Sequence, residues 1–231
     1  MPFIIDRNMR QSCIDYLRKI DSEIYFSQNY DKIYFPVNTH PDIQIHFVDF
    51  RTAFVPPELF DYYKNTLPSF IDLKEGARSL CGTYPGDVAY NVARIGKCVI
   101  LNKKTVDENI LNYYTEKGFT IINVKQGYTK CNICTDGKVA VTEDEGIYSA
   151  LIENGIKTLK IPAGSVRLKG FDYGFIGGAS GSFKDKILLC GEIKDKEIFN
   201  QIKNFFKTNN TEIIVIDKEE LTDYGSILYF E

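Results

Sequence analysis

The sequence repeats one order of secondary structure, two strands followed by a helix and a third strand, and this repetition constrains its fold most strongly. The pattern is clearest in residues 87–125. The predicted elements there are strands over Asp87–Ile95 and Lys97–Leu101, a helix over Val106–Lys117 and a strand over Phe119–Val124. Thr105 and Glu108 have the spacing of a capping box, and Gly118 is placed to end the helix.

Four further copies of this unit can be placed along the chain, one of them split between the two termini. The copy at 131–162 carries a second capping box, at Thr142 and Glu145, and Asp195 begins the helix predicted in the copy at 175–217. First strands are also predicted over 43–49, 131–135 and 175–183, and second strands over 52–55 and 3–5. The five predicted repeats are residues 43–73, 87–125, 131–162, 175–217, and 225–231 together with 3–27. We predict an α/β fold with one domain over residues 1–231, a ring closed by the terminal strands that leaves no open sheet edge. The alternative is an α/β sandwich without symmetry.

Composition excludes several classes of function. The formal charge of −3, without a run of Lys or Arg, argues against a nucleic-acid partner. The apolar run at the N-terminus is too short for a signal peptide and no segment is long enough for a membrane span, so we expect a cytoplasmic protein with no membrane partner. We also expect six reduced cysteines. The Cys131-x-x-Cys134 motif stands alone with only two histidines in the chain, so no metal or other cofactor is predicted, and the oligomeric state is left open.

Aligning the repeats brings polar residues together at one position of the predicted first strands. With the turns at Arg51, Gly96, Gly137 and Asp185 in register, the residues at this position are His46, Asn91, Asn132 and Ser180. Asp42 and Asp87 coincide four residues earlier, and Lys130 falls on the same face because side chains alternate along a strand. The sequence therefore predicts a polar centre inside the ring.

Five such units around a pseudo-fivefold axis resemble the pentein fold, also called the five-bladed α/β-propeller, over essentially the whole chain. That fold includes the guanidino-modifying enzymes arginine deiminase, dimethylarginine hydrolase, amidinotransferases and agmatine deiminase. It also includes translation initiation factor 6, which is not an enzyme. Residues 38–42, 84–87 and 174–181 look like an uncharacterised clostridial-type family of the same fold.

The resemblance implies a site for a cationic guanidino or amidino ligand. Pro85-Gly86-Asp87 resembles the Gly-Asp motif whose aspartate holds the guanidinium group, and His40-Pro41-Asp42 resembles the His-x-Asp motif of those enzymes. A carboxylate also suits such a ligand on chemical grounds, because it accepts two parallel hydrogen bonds from a planar cation. The predicted ligand-binding residues are Asp87, Asp42, Asn91, Asn132, Lys130, Ser180 and His40.

The catalytic residues are harder to place, because the last repeat lacks the cysteine that those enzymes use. We predict Cys134 as the nucleophile, with Cys131 or Cys81 as alternatives, and His46 as the proton shuttle. Each has a simpler interpretation, as a buried apolar cysteine or an interior histidine. The glycine-rich run 177–181 lacks the pattern of a phosphate-binding loop and indicates close strand approach, or else backbone N–H groups presented to an anion.

Two functions follow from these patterns. The first is binding or modification of a small amidino or guanidino compound in the central channel, by a hydrolase or transferase that uses a cysteine. The second is a non-catalytic interaction protein that uses a face of the ring. A surface of the second kind requires an exposed apolar patch rather than convergent titratable side chains.

Overall fold

The computed structural model describes residues 2–20 and 23–230, and within them the chain forms five small three-stranded sheets. The strands are β1 (Phe3–Ile5), β2 (Ile24–Phe26), β3 (His46–Phe47), β4 (Thr52–Val55), β5 (Asp72–Glu75), β6 (Ala93–Ile95), β7 (Cys98–Leu101), β8 (Thr120–Asn123), β9 (Ile133–Thr135), β10 (Ala140–Thr142), β11 (Thr158–Lys160), β12 (Ser180–Phe183), β13 (Lys186–Leu189), β14 (Glu212–Val215) and β15 (Leu228–Tyr229). The α-helices are α1 (Gln11–Ile20), α2 (Pro41–Gln44), α3 (Phe60–Thr66), α4 (Glu108–Glu116), α5 (Thr129–Asn132), α6 (Glu145–Glu153) and α7 (Lys196–Lys207). Short 3-10 helices lie at Val37–Thr39 and Pro57–Leu59.

All five sheets share one topology. The middle strand pairs antiparallel with the first strand and parallel with the third, and a helix connects the middle strand to the third. The fifth sheet joins the two ends of the chain, because β15 pairs antiparallel with β1, with Phe3 opposite Tyr229. The strand-strand-helix-strand order predicted for each repeat is therefore present in the structure.

The first strands are shorter than predicted, and this part of the prediction is wrong. Four predicted strands, over 43–49, 87–95, 131–135 and 175–183, are extended only in their later residues, as β3, β6, β9 and β12. Short helices α2 and α5 and irregular backbone replace the earlier residues. Side chains satisfy the backbone here instead of a neighbouring strand: Asn91 Oδ1 accepts hydrogen bonds from the N–H groups of Lys130 and Cys131.

Both predicted capping boxes are also wrong, since aspartates cap these helices. Asp107 caps α4 by accepting hydrogen bonds from the backbone N–H groups of Asn109 and Ile110, whereas the hydroxyl of Thr105 donates to a loop carbonyl. Asp144 caps α6 in the same way. Asp195 caps α7, as predicted. The short carboxylate reaches the free N–H groups directly, so no reciprocal contact from a glutamate is needed.

Apolar residues from the strands and from one face of each longer helix form the core. Ile110 and Tyr114 of α4, for example, are fully buried against the sheets, as are Ile202 and Phe206 of α7. The irregular segments before β3, β6, β9, β12 and β15 are also buried, and they carry most of the buried polar side chains. No helix in the described ranges is long and apolar enough to cross a membrane.

Candidate functional site

Polar side chains from four sequence segments meet in a central polar cluster, which consists of Asp42, Asn91, Lys130, Cys131 and Ser226. Asp42 Oδ2 accepts hydrogen bonds from Ser226 Oγ at 2.7 Å and from Cys131 Sγ at 3.0 Å. Asn91 Nδ2 donates to the backbone carbonyl of Asp42, and Lys130 Nζ donates to Ser226 Oγ at 3.0 Å. The loops and short helices that precede the first strands therefore hold one connected network.

His40 lies beside this cluster, between two aspartates. Its Nε2 is 3.9 Å from Asp6 Oδ2, and its Nδ1 is 3.7 Å from Asp223 Oδ1. Burial raises the pKa of Asp6 to about 6, although His40 opposes the shift, and burial also raises the pKa of Asp223. Asp223 is fixed by the backbone N–H groups of Phe175 and Gly225. The imidazole is thus held in place by acidic groups on both sides.

Acidic side chains outnumber basic ones in this interior region. Five carboxylates interact with one another or with the surrounding polar residues, namely Asp6, Asp42, Asp87, Asp223 and Glu143. Lys130 and His40 are the basic residues that contact this region. Within the described residues, four carboxylate oxygens are buried without a hydrogen-bond partner. One is Oε2 of Glu58, and the three in this region are Oδ1 of Asp42, Oδ1 of Asp87 and Oε1 of Glu143. Such groups are costly to bury unless a partner arrives, which favours a cationic ligand.

Two cavities border the central polar cluster. The aromatic cavity, of about 120 Å³, is walled by Tyr34, Tyr128, Phe171, Tyr173 and Phe175, with His40, Cys131 and Asp223 also in its lining. The strand-end cavity, of about 400 Å³, reaches Asp42, His46, Lys130, Ser180 and Arg94. Helices α2 and α5 contribute to both, since Asp42 and Lys130 line the larger cavity while Ile43 and Cys131 line the smaller one.

The structure brings only some of the predicted binding residues together. Asp42, Asn91 and Lys130 belong to the central polar cluster, and His40 lies beside it. Asp87 is fully buried and accepts a hydrogen bond from the Tyr128 hydroxyl instead. Asn132 and Ser180 donate to nearby backbone carbonyls, which uses their donor groups locally.

The geometry weighs against the two residues predicted to be catalytic. Cys134 is buried in an apolar cluster, lines neither cavity, and has its pKa raised to about 11 by burial. His46 lines the strand-end cavity with Nε2 at 2.8 Å from the Tyr114 hydroxyl. Burial lowers the pKa of His46 to about 3, helped by Arg94 and Lys130, so the ring is uncharged near neutral pH and is too weak a base to shuttle protons. Cys131, an alternative in the sequence prediction, is the cysteine that lines the aromatic cavity with His40.

Several residues of this region were missed from the sequence, among them Asp6, Asp223, Ser226 and the cavity tyrosines. Ser226 has a left-handed backbone with φ of 70°, which is unusual for a residue other than glycine. Asp223 and Ser226 precede β15 just as Asp42 precedes β3, so aligning the split repeat with the other four would have identified them. Tyr34 lies outside every predicted repeat and gave no signal.

Glu143 provides a prediction about the dependence of stability on pH. Burial raises the pKa of Glu143 to about 7, so its charged form destabilises the folded state. Below the ordinary glutamate pKa, Glu143 is neutral in both the folded and the unfolded protein. Above pH 7 it is charged in both, and the folded protein bears the full free-energy cost of burying the charge. Glu143→Gln is therefore expected to raise the free energy of unfolding by about 2 kcal/mol at pH 8 and to change it little at pH 4.5. Urea denaturation at the two pH values checks this, with Glu145→Gln as an exposed control; an equal effect at both would contradict it.

Comparison with known proteins places the chain in a family. A family model described as "Family of unknown function (DUF6873)" matches residues 4–228. The chain belongs to this family. No curated protein matches its sequence.

Solved structures show the fold that this member of the family adopts. A dimethylarginine dimethylaminohydrolase from Pseudomonas aeruginosa, a cysteine-to-serine mutant in complex with citrulline, has a TM-score of 0.56 and 8% identity. The match covers 94% of this chain and 91% of that one. A dimethylarginine dimethylaminohydrolase adduct with 4-chloro-2-hydroxymethylpyridine has a TM-score of 0.55 and 8% identity, over 94% and 92% of the two chains. The predicted likeness to the pentein fold is therefore confirmed, as a likeness of fold alone.

Proposed function

We propose that this protein binds a small cationic amidino or guanidino compound by enclosing its planar head group in the aromatic cavity. The observation that carries the proposal is the excess of buried carboxylates around a cavity with aromatic walls. Aromatic faces attract a cation through their negative quadrupole, and carboxylates stabilise it by charge. A cavity of about 120 Å³ is smaller than those that enclose drug-sized ligands, so it accommodates a head group and not an extended molecule.

Cys131 is the nucleophile in this proposal. Burial raises the pKa of its thiol well above the ordinary value, and the neighbouring Asp42 adds to the shift. A cation in the aromatic cavity would offset both effects by stabilising the thiolate, so the thiol becomes reactive only when the ligand is present. Its proton has an acceptor already in place, since Cys131 Sγ donates to Asp42 Oδ2.

The reaction that this arrangement supports is hydrolysis of a carbon–nitrogen bond in two stages. Asp42 takes the thiol proton, Cys131 Sγ bonds to the amidino carbon, and the proton returns to the nitrogen that leaves as an amine. Water then attacks the same carbon with His40 accepting one of its protons, and the C–S bond breaks as His40 passes this proton to the leaving sulfur, which restores the thiol and releases the amide or ureido product. The second water proton is taken up by the released amine, so the amidinium cation and one water give a neutral product and an ammonium ion.

The proposal also includes the arrangement of the five sheets. We infer that residues 1–231 form one domain in which the five sheets are the blades of a pentein α/β-propeller closed by β15 and β1. The common topology of the sheets and the pairing of the terminal strands support this arrangement. In it, the segments that precede the five first strands face the same end of the central channel, which accounts for their convergence at the central polar cluster.

Titration with a matched pair of compounds tests binding. Acetamidinium and acetamide are nearly the same shape, but only acetamidinium is charged. We expect the cation to shift backbone amide NMR signals around the aromatic cavity, and acetamide to bind at least tenfold more weakly. Cys131→Ala is expected to retain binding and to release no amine from any amidino compound, with Cys98→Ala, outside both cavities, as the control. Equal binding of the two compounds would refute the proposal.

An interaction protein is a second candidate, favoured by exposed aromatic residues near the same cavity. Phe35, Tyr84, Phe171 and Tyr173 are each between 43% and 61% exposed. Three of them contact residues of the cavity wall: Tyr84 contacts Tyr128, Phe171 contacts Tyr34, and Tyr173 contacts Phe175. Such a patch suits a partner with an apolar surface. Phe35→Ser, which lies outside the aromatic cavity, would then abolish partner binding without affecting the titration with acetamidinium.

A further inference from the structure

Two tyrosines connect the aromatic cavity to a carboxylate that does not line it. The Tyr128 hydroxyl donates a short hydrogen bond to Asp87 Oδ2, and the hydroxyl oxygens of Tyr34 and Tyr128 are 2.9 Å apart. Tyr34 and Tyr128 both line the aromatic cavity, whereas Asp87 is fully buried behind them. The three residues form a chain of hydrogen bonds from the cavity wall to a buried charge.

The direction of the hydrogen bonds follows from counting protons. A tyrosine hydroxyl has one proton, and that of Tyr128 is directed to Asp87 because an ionised carboxylate can only accept. Between the two tyrosines, Tyr34 is therefore the donor, and its hydroxyl also stabilises the charged Asp87. The hydroxyl proton of Tyr34 is thus used in the hydrogen bond to Tyr128. The oxygen of Tyr34 can still accept a hydrogen bond from a bound ligand.

Electrostatic interactions keep the three hydrogen-bonded residues, Tyr34, Tyr128 and Asp87, in one protonation state. Burial raises the pKa of Asp87, while the Tyr128 hydroxyl opposes the shift by donating to the charged form and the nearby Tyr34 hydroxyl adds to this opposition. Burial also raises the pKa of Tyr34 and raises that of Tyr128 further, since the Asp87 charge disfavours a second negative charge beside it. Both tyrosines remain protonated donors, and the negative charge polarises their hydroxyls in sequence.

We propose that Tyr34 selects ligands that carry N–H groups, and that Asp87 supplies the charge for this selection through Tyr128. The inference rests on the proposed function and adds a rule of specificity to it. Aromatic walls alone accept any small cation, including a quaternary ammonium ion. The Tyr34 oxygen, polarised by the buried Asp87 through Tyr128, can also accept a hydrogen bond from the ligand. Only an amidinium, a guanidinium or another cation with N–H groups can donate that bond. Asp87, predicted from the sequence to contact the ligand, instead acts here as a positioning residue.

Comparison of two cations tests the inference. Acetamidinium carries N–H groups, whereas tetramethylammonium has none, and both can be titrated into the protein by NMR. We expect Tyr34→Phe to weaken acetamidinium binding by about tenfold and to leave tetramethylammonium binding within about twofold of the unsubstituted protein. Tyr173→Phe is the matched control, since Tyr173 lines the same cavity and its hydroxyl forms no hydrogen bond with any described residue. It should change neither titration.

Asp87→Asn is a second variant, which keeps the acceptor for Tyr128 and removes the charge. It is expected to weaken acetamidinium binding more than tetramethylammonium binding. A Tyr34→Phe protein that loses both cations equally, or loses neither, would overturn the role of Tyr34 while leaving cation binding intact. Failure of the unsubstituted protein to bind either cation would overturn the proposed function, and this inference with it.

Discussion

Replacing Gly177 with alanine is expected to lower the free energy of unfolding by about 3–5 kcal/mol, which is most of the stability of an ordinary domain. A Cβ atom at Gly177 would lie 2.3 Å from the carbonyl oxygen of Lys130 and 2.6 Å from those of Cys131 and Ile133. All three are backbone atoms of the segment that forms α5 and the start of β9, so no rotation of a side chain can relieve the overlap. Because α5 carries Lys130 and Cys131, the same substitution is expected to displace the central polar cluster.

Urea denaturation of Gly177→Ala measures this effect, and Gly146→Ala is a suitable control. Gly146 lies in the first turn of α6, where the closest atom to a new Cβ would be the side-chain oxygen of Asp144 at 3.3 Å. That side chain can adjust, and alanine favours a helix, so the control should change stability by less than about 1 kcal/mol. If the two variants were equally stable, the close approach of the glycine-rich run to α5 would be wrong.

The second large effect is expected at Asp107, where alanine should lower the free energy of unfolding by about 3–4 kcal/mol. Asp107 is fully buried and uses both carboxylate oxygens. Oδ1 caps α4, while Oδ2 accepts from the N–H groups of Ala77 and Arg78, at 2.7 Å each, and from the Tyr90 hydroxyl at 3.3 Å. Removing the carboxylate leaves the backbone N–H donors without this partner, and their desolvation is then uncompensated, whereas the Tyr90 hydroxyl keeps its hydrogen bond to the carbonyl of Arg78.

Asp195→Ala is the control that measures the loss of an N-cap alone, without the other hydrogen bonds of Asp107. Asp195 caps α7 with the same two-donor geometry, but its hydrogen bonds are exposed and involve only the helix. Asp195→Ala should therefore lower the free energy of unfolding by about 1 kcal/mol, the usual effect of losing an N-cap. Thermal and urea denaturation of both variants would compare them directly. Equal losses would show that the additional hydrogen bonds of Asp107 contribute nothing.

Elements with local signals could be predicted from the sequence. Strands β1 and β4 have the predicted bounds, and Asp195 marks the start of α7, because alternation and capping depend on neighbouring residues. The early halves of the first strands could not be predicted in this way. Their backbone is held by side chains from other repeats, as Asn91 holds the N–H groups of α5, and no local pattern encodes such contacts.

Local sequence patterns also determine which residues of the candidate site could be predicted. Alignment of the repeats placed Asp42, Asn91 and Lys130 on one face of the predicted first strands, and the three meet in the structure. Strand alternation then pointed to Cys134, on the face of Lys130. The chain is helical over α5 instead, and this turns Cys131 towards Asp42 and the aromatic cavity. The proposed nucleophile, Cys131, therefore differs from the predicted one, Cys134, because this segment is helical and not a strand.

A crystal structure of the protein with acetamidinium bound is the most direct test of the central claim, that buried acidic groups around an aromatic cavity hold a planar cation beside Cys131. The account predicts the cation between the rings of Tyr34, Tyr128 and Phe175, with its carbon next to Cys131 Sγ and one N–H group on Tyr34 Oη. Acetamidinium found only in the strand-end cavity or on the surface, with the aromatic cavity unchanged, would contradict it.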